Sequence, residues 1–294
     1  MRILITGSTG FLGSNLSCYF SGCGYDVIGS SRREMKFDFE NYVGDLTDRK
    51  FTDRLVSSSS PDVIINTVSL ANVDECERDP EYAYRIVVET AENIATSAAE
   101  YGAGLIYIST DHLYDGKGSL YREDEELNPI NEYGRLKKLA EDATRSAYPD
   151  STIARTNFFG WSPPWHATTF GEWLYENLKE QNEMNLFTDY YFTPIEVSLL
   201  AGILEKLLYT DFTGTINVAG ADRCSKYEFG MKMAELGNFD NSCIHSSTLA
   251  ESGLASKRPG DLSLSTVKLS SLLKIKPPGL EECIFSFLKS AQER

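Results

Sequence analysis

The sequence is short of positive charge. Its 28 lysines and arginines stand against 43 aspartates and glutamates, a formal net charge of −15. Nucleic acids and anionic membranes are gripped through cationic patches, so neither is an expected partner. An anionic small ligand would need a local group of arginines or backbone N–H donors. Histidine is scarce, with three in 294 residues. The six cysteines (Cys18, Cys23, Cys76, Cys224, Cys243 and Cys283) form no CxxC pair and no metal-ligand spacing. No metal is expected, and reduced, partly buried thiols fit a cytoplasmic protein. No stretch of about 18 apolar residues occurs, so no membrane-spanning helix is expected. Ile3-Leu4-Ile5 runs straight into a glycine turn, which is not the layout of a signal peptide. The remainder, 41% hydrophobic and 24% charged, is ordinary for a globular chain able to bury a substantial core.

The first half alternates apolar runs with helical patterns. Strands are expected at Arg2–Thr6, Tyr25–Ser30, Asp62–Thr67, Gly104–Ser109 and Thr152–Arg155. Helices are expected at Phe11–Ser21, Arg49–Ser58, Pro80–Tyr101 and Asn131–Tyr148, with Pro80 well placed in a first turn. The serine run Ser57–Ser60, ending at Pro61, reads as a loop. Strands alternating with helices predict an α/β fold, a doubly wound parallel sheet covered on both faces. Ligands of such sheets bind at the carboxyl ends of the strands. After Arg155 the pattern changes to a loop rich in aromatics and proline, Gly160–Ala167. Helices follow around Phe170–Glu180 and Glu196–Leu208, then a strand at Thr215–Ala219, then short helices and loops from Asp222. The expected division is a dinucleotide-binding domain of residues 1–156 with 193–220, and a smaller substrate-binding lobe of residues 157–192 with 221–294.

Two motifs carry chemistry. Gly7, Gly10 and Gly13, spaced GxxGxxG, lie between the first strand and the first helix. A tight turn, close approach of backbone to a pyrophosphate and close helix–strand packing all favour glycine there. The helix N-terminus adds free N–H donors. Phe11 and Leu12 belong to the same expected contact. The second strand ends Gly29-Ser30-Ser31-Arg32-Arg33, without the acidic residue that usually accepts from the adenosine ribose of NAD. Ser31 and Arg32 suit a 2′-phosphate instead, so NADP(H) is the expected cofactor and NAD(H) the alternative. The plainer reading of Arg32 and Arg33 is a solvated turn. In either case Asp45 and Leu46 are expected to meet the adenine.

The second motif is Tyr133-Gly-Arg-Leu-Lys137. At i and i+4 the phenol and the ammonium share one helix face. A nearby ammonium stabilises phenolate and lowers its pKa from about 10. A phenol tuned in this way can protonate a carbonyl oxygen as hydride reaches its carbon. Thr110, at a strand's carboxyl end, can donate to the same oxygen as charge develops. Asp111 beside it could orient a sugar hydroxyl. A YxxxK alone is commonly structural; behind a glycine turn and after Ser109-Thr110-Asp111 it points to an oxidoreductase.

These pieces, together with Pro61-Asp-Val-Ile-Ile-Asn66, Asn72-Val-Asp-Glu-Cys-Glu77, Asp79-Pro-Glu-Tyr-Ala-Tyr-Arg85, Tyr114-Asp-Gly116, Ala154-Arg-Thr156 and Arg258-Pro259, resemble the extended short-chain dehydrogenase/reductases. Within them the resemblance is to the dTDP-4-dehydrorhamnose reductase family. It spans nearly the whole chain and implies that Thr110, Tyr133 and Lys137 are the catalytic triad. Lys137 would also hold the nicotinamide ribose. It implies a nucleotide-sugar substrate in contact with Asp111, Trp161 and Arg258, the last on the diphosphate. Relatives are often dimers, so it also implies a homodimer. The implied activity is NADPH-dependent reduction of a 4-keto group in a nucleotide-activated deoxysugar. The chain departs from the family in three places. Val87 stands where a helix Asn usually supports a proton relay. Val68 enlarges an alanine-rich stretch lining the cofactor. His112 follows Ser-Thr-Asp where an aromatic is usual, and where dehydratases carry a catalytic Glu. Two alternatives stay open: a sugar-nucleotide epimerase, and a non-catalytic NADP-binding regulator similar to the methionine adenosyltransferase regulatory subunit.

Overall fold

The computed structural model describes residues 1–253 and 256–292. Its centre is a seven-stranded sheet in which every neighbouring pair is parallel. The strands are β1 (Arg2–Thr6), β2 (Asp26–Ser31), β3 (Glu40–Val43), β4 (Val63–Asn66), β5 (Gly104–Thr110), β6 (Thr152–Thr156) and, arriving late in the chain, Gly214–Asn217. Their spatial order is β3-β2-β1-β4-β5-β6 and then Gly214–Asn217. The direction of winding reverses between β1 and β4, and a crevice opens at the carboxyl ends of those two strands.

Period-two alternation loads both faces. In β1, Ile3 and Ile5 join an apolar cluster with Leu12 and Leu16 of α1 (Phe11–Gly22), while Leu4 joins Leu55, Ile94 and Ala98 on the opposite side. The second layer comprises α2 (Arg49–Ser59), α5 (Thr90–Tyr101) and α6 (Glu132–Ala147). Before α5 lie α3 (Val73–Arg78), α4 (Pro80–Tyr84) and a π turn over Arg85–Glu89. The expected helix Pro80–Tyr101 is therefore continuous in path but underwound at its middle. Beyond the sheet lie α7 (Phe170–Glu180), α8 (Val197–Leu207) and α9 (Lys226–Gly237), with helices Val267–Leu273 and Leu280–Gln292. A small parallel pair joins Met184–Phe187 to Ile244–Ser247.

The expected elements are present within one or two residues, and three readings change. Ser57, Ser58 and Ser59 are helical, because each hydroxyl donates to the carbonyl of Asp53, Arg54 or Leu55 one turn back. Only Ser60 leaves the helix, at φ +43°. The half-exposed strand β3 and the short helix α3 have too little apolar periodicity to be read from sequence. The last 70 residues hold two full helices, α9 and Leu280–Gln292, rather than short pieces.

The turn after β1 explains its glycines. Gly7 has φ +77° and donates its N–H to Ser30 O at 2.8 Å, tying β1 to β2. Gly13 lies so close to this turn that an added Cβ would stand 2.1 Å from Gly7 O. Gly13→Ala must push α1 off the turn, an overpacking that costs about 1–3 kcal/mol. Urea unfolding of the variant should show that loss, and a midpoint equal to the parent's would refute the contact.

Candidate active site

A cleft of about 300 Å³ runs along the carboxyl ends of β1, β2 and β4. Gly7, Thr9 and Gly10 form its floor; Ser31, Arg32, Arg33, Asp45 and Leu46 line one end; Thr67, Val68, Ser69, Ile86 and Thr90 line the other. The positive-φ turn and the free start of α1 are the cradle that a pyrophosphate requires, so these residues fit a dinucleotide. Arg32 donates to Tyr82 Oη at 2.8 Å, which holds the guanidinium at the rim. Ser31 is occupied locally, donating to Arg33 O at 2.7 Å and accepting from Asn41. Asp45 accepts from the N–H and hydroxyl of Thr47, both at 2.9 Å. Leu12 is turned into the core, and Phe11 packs on Phe158 at 5.3 Å; only the backbone of these two belongs to the turn. Trp165 and His166 also line the cleft, with Trp165 Nε1 donating to Thr9 O at 2.9 Å. Trp165 belongs to the aromatic loop Gly160–Ala167, and spacing alone cannot assign a loop aromatic to one cleft or another.

Thr110 ends β5 beside this cleft. Asn131 caps α6 by accepting from Gly134 N–H at 2.9 Å. Gly134 lets the helix press onto the loop after β5, where an added Cβ would come 2.1 Å from His112 O. This contact sets Tyr133, one residue earlier, against Thr110. Burial raises the Tyr133 phenol to about 12, while the hydroxyls of Thr110 and Ser69 lie against it and pull the value down. Val68 and Ser69 line the cleft from the strand-end stretch, as the sequence led one to expect for Val68.

Lys137 is on the expected helix face, and its ammonium is engaged by β5. It donates to Tyr107 Oη at 2.6 Å and to Ile108 O at 2.7 Å. Desolvation lowers its pKa to about 7, opposed by Glu141.

Asp111 is buried, accepts from Asn157 Nδ2 and receives a 3.2 Å hydrogen bond from Thr110. Desolvation raises its pKa to about 6. His112 packs edge-on against Tyr133, with ring centres 5.4 Å apart. Burial, then Arg258 and Lys226, lowers its pKa to about 3, so it is neutral. Arg258 reaches the same region and makes a 3.3 Å contact to Asp74. Trp161 is not among the residues that line this cleft. It stacks on Phe287 at 4.5 Å, and its Nε1 donates to Phe287 O at 3.0 Å. A flat partner ring and a carbonyl acceptor thus hold the indole against the core. Among the described residues, no group of three or more His, Cys, Asp or Glu could hold a metal ion, and no helix is long and apolar enough to cross a membrane.

A doubly wound sheet, a glycine turn with a cleft and a Thr–Tyr–Lys set at the end of β5 define an extended short-chain dehydrogenase/reductase. More narrowly, the model of the RmlD substrate binding domain family matches residues 1–293, and the chain belongs to that family. The probable low-salt glycan biosynthesis reductase Agl14 of Haloferax volcanii is 30% identical over 286 residues, covering 96% of this chain and 95% of its own. The structure of dTDP-4-dehydrorhamnose reductase from Bacillus anthracis in complex with NADP superposes with a TM-score of 0.88 at 26% identity, covering 98% of this chain and 99% of the other. Methionine adenosyltransferase 2 subunit beta of Bos taurus is 27% identical over 310 residues, covering 98% of this chain and 88% of its own. The expected class, a nicotinamide-dependent oxidoreductase, and the expected cofactor, NADP(H), agree with these relatives.

The placement of Lys137 has a measurable consequence. Its ammonium titrates at about 7 in the folded chain against 10.5 when free. Between these values the unfolded chain holds a proton that the folded chain has released. Stability from this group therefore rises with pH across the window, and its penalty is full below about 7. Lys137→Met removes the term, so its unfolding free energy relative to the parent should be most favourable near pH 7 and fall back as pH approaches 10. Urea titrations at both ends test this, and a pH-independent gap would contradict the buried placement.

Proposed function

We propose that the protein is an NADPH-dependent reductase acting on the 4-keto group of a nucleotide-activated deoxysugar. The observation carrying this reading is the meeting of Tyr133 with the Thr110 hydroxyl beside the cleft of the glycine turn. A reduced nicotinamide bound in that cleft would supply hydride to the keto carbon. Tyr133 is protonated at neutral pH, since burial holds its pKa near 12. It can therefore give its proton to the keto oxygen as that oxygen gains negative charge. Thr110 donates to the same oxygen and steadies the charge. Asp111, fixed by Asn157, is the acceptor for a sugar hydroxyl. Lys137 is assigned the lowering of the Tyr133 pKa and the grip on the nicotinamide ribose; both require the ammonium to leave Tyr107. Arg32, at the rim of the cleft, is assigned the 2′-phosphate, with Ser31 beside it. A homodimer in the cytoplasm is the setting the family resemblance implies.

The similarity to methionine adenosyltransferase 2 subunit beta supports a second reading, a regulator that binds NADP without turnover. Val87, in place of the family's helix Asn, favours it. Cofactor oxidation with a dTDP-4-keto-6-deoxyhexose generated in situ separates the two. Consumption of NADPH supports the reductase; binding of NADPH without consumption of any keto sugar nucleotide supports the regulator.

Two variants test the roles. Tyr133→Phe should lower kcat by about 10²–10⁴-fold, the usual contribution of a positioned acid, with NADPH affinity kept; unchanged turnover would remove Tyr133 as the donor. Arg32→Ala should weaken NADPH binding by about tenfold or more, as expected for a lost charge-assisted contact, and leave NADH untouched. Equal losses for both cofactors would show that Arg32 does not read the 2′-phosphate.

A further inference from the structure

The loop between the strand Phe158–Phe159 and α7 crosses to the glycine turn, and the chemistry above makes no use of it. Its base is closed by Thr169, whose hydroxyl donates to Gly160 O at 2.8 Å. Asn15 of α1 donates from Nδ2 to Trp161 O at 3.0 Å, and Trp165 Nε1 donates to Thr9 O at 2.9 Å. The loop is thus moored twice, once on α1 and once on the turn that precedes it. Between the moorings, His166 N–H donates to Pro163 O at 2.9 Å. That closes a four-residue turn with Pro164 at its second position, where a fixed φ is favourable. The stiffened turn holds Trp165 and His166 together at the cleft, whose wall both share with Thr9 and Gly10.

His166 brings chemistry to this mooring. Its ring centre lies 6.3 Å from that of Phe11, the first residue of α1. Nδ1 stands 2.9 Å from Ala167 O. A carbonyl only accepts, so Nδ1 carries a proton in that contact, and in the neutral ring Nε2 is then a lone pair. Among the described residues Nε2 makes no hydrogen bond. A lone pair repels an anion, whereas the protonated ring offers a second donor and a positive charge. The first turn of α1, Phe-Leu-Gly-Ser, has no charged side chain of its own. The other ionisable groups lining the cleft are Arg32, Arg33 and Asp45, which come from the segments after β2 and β3 rather than from the turn. A cofactor pyrophosphate cradled on the turn is therefore offered backbone N–H groups from below and, from the loop, a side chain able to become cationic.

We propose that His166, as the imidazolium, donates from Nε2 to the pyrophosphate of the bound cofactor, and that Trp165 is the mooring that keeps it there. The proton is taken from solvent on binding. This rests only on the reading of the cleft as a dinucleotide site, which the reductase and the regulator share. His166 is a binding residue and Trp165 a positioning one.

The test is calorimetric titration of NADPH, NADH and 2′-AMP, without any sugar, into the parent and the variants His166→Ala and Trp165→Phe. 2′-AMP has the adenosine and 2′-phosphate of NADPH but no pyrophosphate. His166→Ala should weaken NADPH and NADH alike by about tenfold, the effect of one charge-assisted contact. Trp165→Phe keeps a ring but loses the bond to Thr9 O, and should weaken both by about three- to tenfold. Neither variant should alter 2′-AMP binding by more than twofold, which also shows that both are folded. Repeating the NADPH titration in buffers of different ionisation enthalpy counts protons, and the parent should take up more than His166→Ala. The proposal is overturned if His166→Ala binds both dinucleotides within twofold of the parent, if its loss is confined to NADPH or extends to 2′-AMP, or if parent and variant take up equal numbers of protons. An unchanged affinity in Trp165→Phe would overturn the mooring. A parent that reduces a keto sugar while His166→Ala keeps its cofactor affinity would sink this inference and leave the reductase standing; no NADPH binding by the parent would overturn the dinucleotide reading and this inference with it.

Discussion

The buried pair between Arg155 and Glu141 fixes everything that follows along the reactive edge. Arg155 comes from β6 and Glu141 from α6, and the two meet through two parallel hydrogen bonds at 2.9 and 2.7 Å. Both are at most 3% exposed. Two ions removed from water repay the desolvation only when their geometry is good and their remaining groups are satisfied. Here Tyr114 Oη accepts from the guanidinium at 2.8 Å, and Glu123 O accepts at 3.3 Å. A bidentate guanidinium fork tolerates little rotation, so α6 is pinned in both height and azimuth against the sheet. Glu141 lies one turn beyond Lys137 and two beyond Tyr133, on the same helical face. The ion pair thereby sets which way the phenol looks. Gly134 supplies the second point of attachment by resting on His112 O. Two contacts, one charged and one steric, leave α6 no freedom to withdraw Tyr133 from Thr110.

With α6 fixed, local charge follows a pattern that the overall acidity conceals. Arg32 and Arg33 line the cleft of the glycine turn, and Lys226 and Arg258 border a second cavity. Burial keeps the Tyr133 phenol protonated and the His112 imidazole uncharged, while the Asp111 carboxyl, raised to about 6, still carries most of its charge at neutral pH. Desolvation disfavours the charged form of whichever group it acts on, acid or base.

Much of this was legible in the sequence, for reasons that can be given residue by residue. The sheet followed from short apolar runs alternating with helical periods. The turn followed from three glycines whose roles are local: one positive φ, one close approach and one helix start. Tyr133, Lys137 and Thr110 could be paired because helix spacing and strand ends are one-dimensional facts. What could not be read depends on contacts distant in the chain. Trp161 and Trp165 have similar local surroundings, yet one is spent on Phe287 and the other spans to Thr9. Lys226 sits at the start of an ordinary capped helix, and the rings beneath its ammonium, Phe170 and Phe192, come from distant parts of the chain. The rotamer of Lys137 was equally hidden, since spacing gives the face of a helix but not the acceptor a side chain selects.

The departure at Val87 bears on that rotamer. Val87 falls within the π turn Arg85–Glu89 and is fully buried in the cluster that holds Tyr107, Tyr133 and Leu136. An apolar side chain there offers the Lys137 ammonium nothing to donate to. A buried ammonium must use its donors or lose its proton, and the acceptors within reach are Tyr107 Oη and Ile108 O on β5. The groups that do lie against the Tyr133 phenol are the hydroxyls of Thr110 and Ser69, and Thr110 leads on to Asp111. The neighbours of the Tyr133 phenol thus lie on its strand side, and that line of contacts ends at a carboxyl raised to about 6.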